Sequence, residues 1–307
     1  MGRTAKIIIW SIVTLTVLAI TLMLFLMPEF PFGKIDIGLP VFSNYKYENA
    51  DKYVAGDIAY KTDGINRIDV NWVSGDVSIV LWDGETVSVS EIGDFADDKK
   101  VHTAVIDGAL MIKFAASGNL GTNSKGKSLT VKIPEAMLLS EIAVDTVSAE
   151  VSVDMKAEVR TIDIDTVSGS TYIGNLSGSS LGIDTTSGKI TVSGATFAKA
   201  SLDSVSGRIE IDDSALTDVD AETVSGRINC SFRDGAAIDE LDFSSVSGDI
   251  EILLPEDVGF EAKLSSVSGD FDSDFACVRN GKTYTCGDGS IKISADTTSG
   301  DLAVNKK

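Results

Sequence analysis

The stretch IDIDTVSGSTYIG, residues 162–174, is one copy of a phrase that recurs nine times, closing on Ser-Gly in eight copies and on Ser-Ala in one. Taking the residue after the serine as position zero gives Gly75, Ala149, Gly169, Gly188, Gly207, Gly226, Gly248, Gly269 and Gly300. From Ala149 to Gly269 the steps are 20, 19, 19, 19, 22 and 21 residues, the period of a repeat architecture. Seven and five residues before zero stand apolar pairs such as Ile162 and Ile164, Leu181 and Ile183, or Leu241 and Phe243, each alternating with polar neighbours. Two and four after zero the alternation resumes with Ile190 and Val192, Ile209 and Ile211, Ile228 and Cys230. Period two marks strands, so each unit is predicted to be a strand, a corner at Ser-Gly and a second strand.

One such unit cannot bury its own apolar row. Stacking units at about 4.8 Å pairs every backbone group with the coil above and below and makes a continuous core. The predicted fold is therefore all-β, a β-solenoid of roughly 20-residue coils over residues 146–307. Glycine suits the corner because it tolerates positive φ and leaves room for the next coil, and the serine before it can bond along the stack or to its own turn. The Ala149 coil is expected to be irregular. Between Gly75 and Ala149, alternating segments such as ETVSVSEI and SLTVKIP predict an antiparallel β cap over residues 61–145. The step from Gly269 to Gly300 leaves space for a hairpin insertion over 273–290. No cap follows the coil at Gly300, so its edge is expected to be guarded only by Asp301, Lys306 and Lys307, which makes end-to-end self-association available.

Residues 7–27, IIIWSIVTLTVLAITLMLFLM, carry no charge. As a helix they would extend about 31 Å, enough to span a bilayer. Arg3 and Lys6 precede them, which assigns residues 1–6 to the cytoplasm, makes the chain a single-pass protein of the cell membrane and places residues 28–60 as a tether outside. The competing reading, a cleaved signal peptide, fits less well: the run is long and FLMPEFPFG offers no small-x-small cleavage site.

Without Arg3 and Lys6 the remainder holds 24 basic and 46 acidic residues, a net charge of −22. Such a surface repels nucleic acid and anionic lipid, and favours basic partners on the outer face. Of the three cysteines, Cys277 and Cys286 bracket VRNGKTYT, whose Asn280-Gly281 is a hairpin signal, and they are a candidate disulfide across that hairpin.

The corners TVSGDI and TTSGKI, the LTVKIPE strand, the closing GDGSIKISADTTSGDLAV and the apolar leading segment together resemble a bacterial cell-surface family with β-strand repeats, labelled putative adhesins. The resemblance covers roughly residues 60–305. It implies a membrane-anchored solenoid facing outward from a bacterial, Gram-positive envelope, in a family of unknown function, some members of which are associated with envelope-stress regulation. It supplies no catalytic residues and no cofactor.

Catalytic chemistry finds little material. GTNSKGKS, residues 121–128, matches the phosphate-binding P-loop pattern, but the following LTVKIPE alternates as a strand where a helix is required. A single histidine, His102, leaves histidine-based zinc sites and nucleophile pairs without partners. The expectation is a protein that is not an enzyme. The best candidate beyond structure is an acidic row four residues before zero: Asp145, Asp165, Asp184, Asp203 and Glu222, then Ser244 and Ser265, then Asp296. Adjacent carboxylates at coil spacing repel by about 1 kcal/mol even in water, so an offset is expected. Lys189, Arg208 and Arg227, one residue after zero, are predicted to balance Asp184, Asp203 and Glu222 within their coils. Asp145 with Glu150, and Asp296 with Asp301, remain as candidate ligands for a divalent cation. Two functions fit these residues: a non-enzymatic adhesin or surface-interaction module engaging a protein or envelope component, and an accessory of an envelope-stress response that senses or sequesters cationic peptides.

Overall fold

Strands form where apolar residues alternate: Val159–Thr166 and Thr171–Gly174 flank Gly169, and Ser177–Thr185 and Ile190–Ser193 flank Gly188. The computed structural model describes residues 46–119 and 127–307. Among these, the regular structure is strand apart from two short 3₁₀ turns, and no helix is long and apolar enough to cross a membrane. The predicted membrane-spanning segment 7–27 and most of the tether lie outside the described residues.

Strands before the corner pair with one another in parallel, placing Ile162 opposite Leu181, Leu181 opposite Ala200, Ala200 opposite Val219 and Val219 opposite Leu241. Strands after the corner do the same, with Ile173 opposite Val192, Val192 opposite Ile211 and Ile211 opposite Cys230. Constant register from coil to coil is what makes this a β-solenoid. Both sets of strands turn their apolar residues into one shared interior, where Ile162, Ile190, Leu202, Phe232, Phe243 and Ile252 are buried. Each such side chain contributes on the order of 2 kcal/mol by leaving water.

The corner is held by two hydroxyls. Three residues before zero, Thr166, Thr185, Ser204, Thr223, Ser245 and Ser266 accept a hydrogen bond from the corner glycine's amide at 2.6–3.1 Å. One residue before zero, Ser168, Ser187 and Ser206 donate along the stack to the carbonyls of Val147, Val167 and Thr186 at 3.3–3.4 Å. Of the two reasons expected for glycine, room for the next coil is the one at work, and positive φ is not. Among corner glycines only Gly75 has positive φ, at 97°. At Gly169, Gly188, Gly207, Gly226, Gly248, Gly269 and Gly300 an added Cβ would lie 1.6–2.0 Å from the carbonyl oxygen of the corner in the adjacent coil, a distance at which nothing fits. The Ala149 coil departs from this pattern: its strand, Leu139–Asp154, runs through the corner unbroken.

Both ends depart from sequential stacking. The strand Arg67–Trp82 lies in the expected cap, yet it is a coil of the solenoid, paired in parallel with Leu139–Asp154 so that Gly75 faces Ala149. On its other side it pairs in parallel with Ala109–Lys113 and Ser128–Pro134, which together form one more coil. Only outside these is the pairing antiparallel, through His102–Ile106 and Thr86–Ile92. At the opposite end Gly248 is followed in the stack by Gly300, and Gly300 by Gly269. The strands Ile291–Thr297 and Leu302–Lys306 are inserted between coils that precede them in sequence. The coil at Gly300 is therefore not the exposed end, which corrects the expectation of an edge there. The outermost strand, Phe260–Ser265, is covered by the antiparallel hairpin of Thr283–Cys286 and Cys277–Asn280.

Candidate interaction face

Constant register gathers the acidic row onto one line. Asp145, Asp165, Asp184, Asp203 and Glu222 occupy successive rungs at about 4.8 Å, followed by Ser244, Asp296 and Ser265. Two residues earlier on the same strands, Asp163, Asp220 and Asp242 face the same way. The line continues through Asn71, four residues before Gly75, and through Lys113, which the spacing does not reach. Asn71 stands opposite Asp145 and donates its amide to that carboxylate at 2.7 Å, and Lys113 stands opposite Asn71 and donates to its side-chain oxygen. Lys113 also lies 3.9 Å from Asp69. The signal for Asn71 was present in the Ser-Gly at Gly75, whereas Lys113 stands five residues before the Ser-Gly at Gly118 and so falls off the four-residue spacing.

The side chains of Asp165 and Asp184 reach solvent at their tips, yet coils packed on either side displace much of the surrounding water. That desolvation, reinforced by the charges of Asp184, Asp163 and Asp145, pushes the Asp165 carboxyl up to about 6. Asp203 is pushed up to about 8, first by burial and then by Asp184, Glu222 and Asp220. Asp184 moves in the same direction, chiefly through desolvation and with the charge of Asp163 adding to it, while the side chains of Asp203 and Asp165 oppose it. Asp145 is also raised by burial and by Asp69, against the lowering pull of Lys113 and Asn71.

The predicted charge balance is arranged differently. Lys189 and Arg208 pair with Glu210 at 2.5 and 3.3 Å, and Arg227 pairs with Asp249 at 3.1 Å. These cations serve the strand after the corner and not Asp184 or Asp203.

The cation candidates do not converge. Asp145 and Glu150 lie on opposite sides of Ala149 along one strand, and Glu150 stands opposite Asp76. Asp296 is on the acidic row, whereas Asp301 sits between Asp249 and Asp270 at the corner, its carboxylate accepting from the Asp270 amide at 2.9 Å. Among the described residues no three histidine, cysteine or carboxylate side chains are placed to share one ion. Cys277 and Cys286 are bonded to each other across the terminal hairpin, with Cα atoms 4.2 Å apart, and Cys230 is a buried free thiol whose pKa burial raises.

Of the P-loop-like segment, Lys127 and Ser128 are described. A strand, Ser128–Pro134, follows, and the Lys127 ammonium is sealed inside the N-terminal end of the stack. It pairs with Glu91 at 2.9 Å, donates to the carbonyls of Lys99 and Phe114, and lies over the rings of Trp72, Phe95 and Phe114 at 4.4–5.2 Å. Desolvation lowers its pKa. No phosphate can reach it. His102 lies at the start of its strand with Nδ1 at 2.9 Å from the Lys100 carbonyl.

Solved structures share this architecture. An 82% portion of the chain superposes on 97% of a putative adhesin from Bacteroides fragilis with a TM-score of 0.51 and 17% identity. A putative lipid binding protein from Parabacteroides distasonis gives a TM-score of 0.51 and 18% identity over 83% of this chain and 97% of that one. Among curated proteins, none matches this chain. The family model described as Toastrack DUF4097 matches residues 65–305, the whole stack from its first coil to its last strand, and the chain belongs to that family.

Proposed function

We propose that this protein acts by binding rather than by catalysis, as a membrane-anchored surface module that holds its acidic face outward to a basic protein or envelope component. The observation that carries this reading is the in-register line of Asp165, Asp184 and Asp203, whose neighbouring cations are committed to other carboxylates. Like charges held at coil spacing retain protons. A basic partner would displace those protons and recover the electrostatic cost that the row carries. The anchor is residues 7–27, with the N-terminus in the cytoplasm and the stack outside.

Crosslinking the full-length protein in living cells, with the wild type compared against Asp165→Lys/Asp184→Lys, tests this. Partners lost from the doubly substituted protein identify the face as the binding surface. An unchanged set of captured partners removes the face from consideration. A second reading, an accessory that senses or sequesters cationic peptides for an envelope-stress response, draws on the same raised carboxyl pKa values, since peptide binding would release protons. Capture of the cell's own membrane sensors would favour it, and capture of foreign surface molecules or wall polymer would favour adhesion.

A further inference from the structure

We propose that a groove on the strands after the corner, distinct from the acidic row, is a binding site for a neutral polyhydroxylated ligand, an extended oligosaccharide laid along the stack. The groove encloses about 400 Å³. Its first line of side chains runs in register across five coils: Tyr172, Thr191, Glu210, Asn229 and Glu251. Ser193 and Asp212 form part of a second line beside it, joined by a hydrogen bond at 3.4 Å. A register shift between Ile211 and Ser214, with Asp213 at φ 40°, interrupts the flat ladder at the middle of the groove.

Three observations define the ligand. The side-chain oxygen of Asn229 is buried in the groove wall without a hydrogen-bond partner, an acceptor that a bound donor would satisfy. Charge at the margins is largely compensated within the protein: Glu210 by Lys189 and Arg208, Asp249 by Arg227, and Asp213 by Lys307 and Arg233. What remains facing the groove is an array of acceptors, Asn229, Glu251 and Asp212, interleaved with the hydroxyls of Thr191 and Ser193. Such an array suits the hydroxyl donors of a sugar and rejects phosphate and other anions. At one end Tyr172 lies along its strand because Gly174 carries no side chain. A Cβ at Gly174 would come within 2.8 Å of the tyrosine ring. The ring offers a surface on which the apolar face of a sugar can stack. The groove runs over the face of a sheet whose strands are all paired, so a peptide could not add itself as a further strand here.

The test titrates the full chain with chitohexaose, cellohexaose and maltohexaose, and in parallel with a lysine decapeptide, by calorimetry at low and high salt. At least one hexasaccharide is expected to bind saturably and independently of salt. Tyr172→Ala and Asn229→Ala should each weaken it about tenfold, with melting temperatures that show the stack intact. Thr191→Trp, which fills the groove while leaving Asn229, Glu251 and Asp212 in place, should abolish it. Asp184→Asn, on the acidic row, should leave it unchanged. The proposal is overturned by absence of saturable binding to all three sugars, by binding indifferent to the three groove substitutions, or by binding lost in Asp184→Asn. Binding of the decapeptide alone, lost in Asp184→Asn, would support the acidic face as an interaction surface while removing the groove.

Discussion

At Gly207 a single hydrogen atom separates a stack from a clash. A methyl group there would sit 1.8 Å from the Gly188 carbonyl oxygen, and that carbonyl cannot retreat without breaking register with its own neighbours. Gly207→Ala is therefore expected to cost about 3 kcal/mol in chemical denaturation, at the upper end of overpacking penalties because the obstacle is backbone. Ser204→Ala removes only the hydroxyl that accepts from the Gly207 amide at 2.7 Å and should cost about 1 kcal/mol. Equal effects of the two substitutions would mean that the corner is held by its hydrogen bond and not by its dimensions. The glycine was legible in the sequence as a corner and room for the next coil was among its expected reasons, but a demand for positive φ and a demand for space leave the same letter, and only the structure separates them. The hydroxyl three residues earlier recurs in the sequence as Thr or Ser, but recurrence alone does not distinguish it from any other polar position.

On the element scale the acidic strands make stability depend on pH. The carboxyls of Asp165 and Asp203 bind protons more tightly in the folded chain, up to about 6 and about 8, than in an unfolded chain, where an aspartate titrates near about 4. The folded state holds extra protons between those limits. Their stabilising contribution is complete at the acid side and is lost as pH rises through the folded values. Melting temperature is therefore expected to rise as pH falls from 8 to 5, and Asp203→Asn should flatten that profile while raising stability at pH 8. A profile unchanged by the substitution would show that Asp203 is ionised throughout. The terminal hairpin gives a second test. Cys277→Ser/Cys286→Ser removes the bond that closes Cys277–Asn280 onto Thr283–Cys286, and amide exchange in Thr283–Cys286 should accelerate while Thr196–Ser204 stays protected. Sedimentation of that variant should show association through the uncovered Phe260–Ser265 edge. Exchange that accelerates without association would mean the edge is guarded by something other than the hairpin. Strands like these were readable from alternation alone. Their partners were readable only where neighbours in the stack are neighbours in the sequence, as from Ala149 to Gly248. Nothing local in Arg67–Trp82 announces a partner some seventy residues downstream, and nothing local in Ile291–Thr297 announces that it will enter between two coils already made.

For the whole molecule, the two long faces separate by chemistry. The strands before the corner concentrate carboxylates, and those after it compensate part of theirs, Glu210 with Lys189 and Arg208 and Asp249 with Arg227. Association with a basic partner through the first face is expected to weaken steeply as salt rises from 50 to about 500 mM, as the Debye length contracts to a few ångströms. Salt-independent association would place the partner elsewhere.

The interleaving at the two ends bears on how such a protein changes its length over evolutionary time. Duplication of a unit between Ala149 and Gly248 adds a coil without disturbing any partner, because each strand there pairs with the repeats immediately before and after it. The same duplication beyond Gly248 would have to lengthen two interlocked segments at once, since the coil at Gly300 is wedged between Gly248 and Gly269. The ends are thus fixed fittings and the middle is the adjustable shaft. Relatives that differ in reach should differ in the number of central repeats, while keeping the out-of-order strands at both ends.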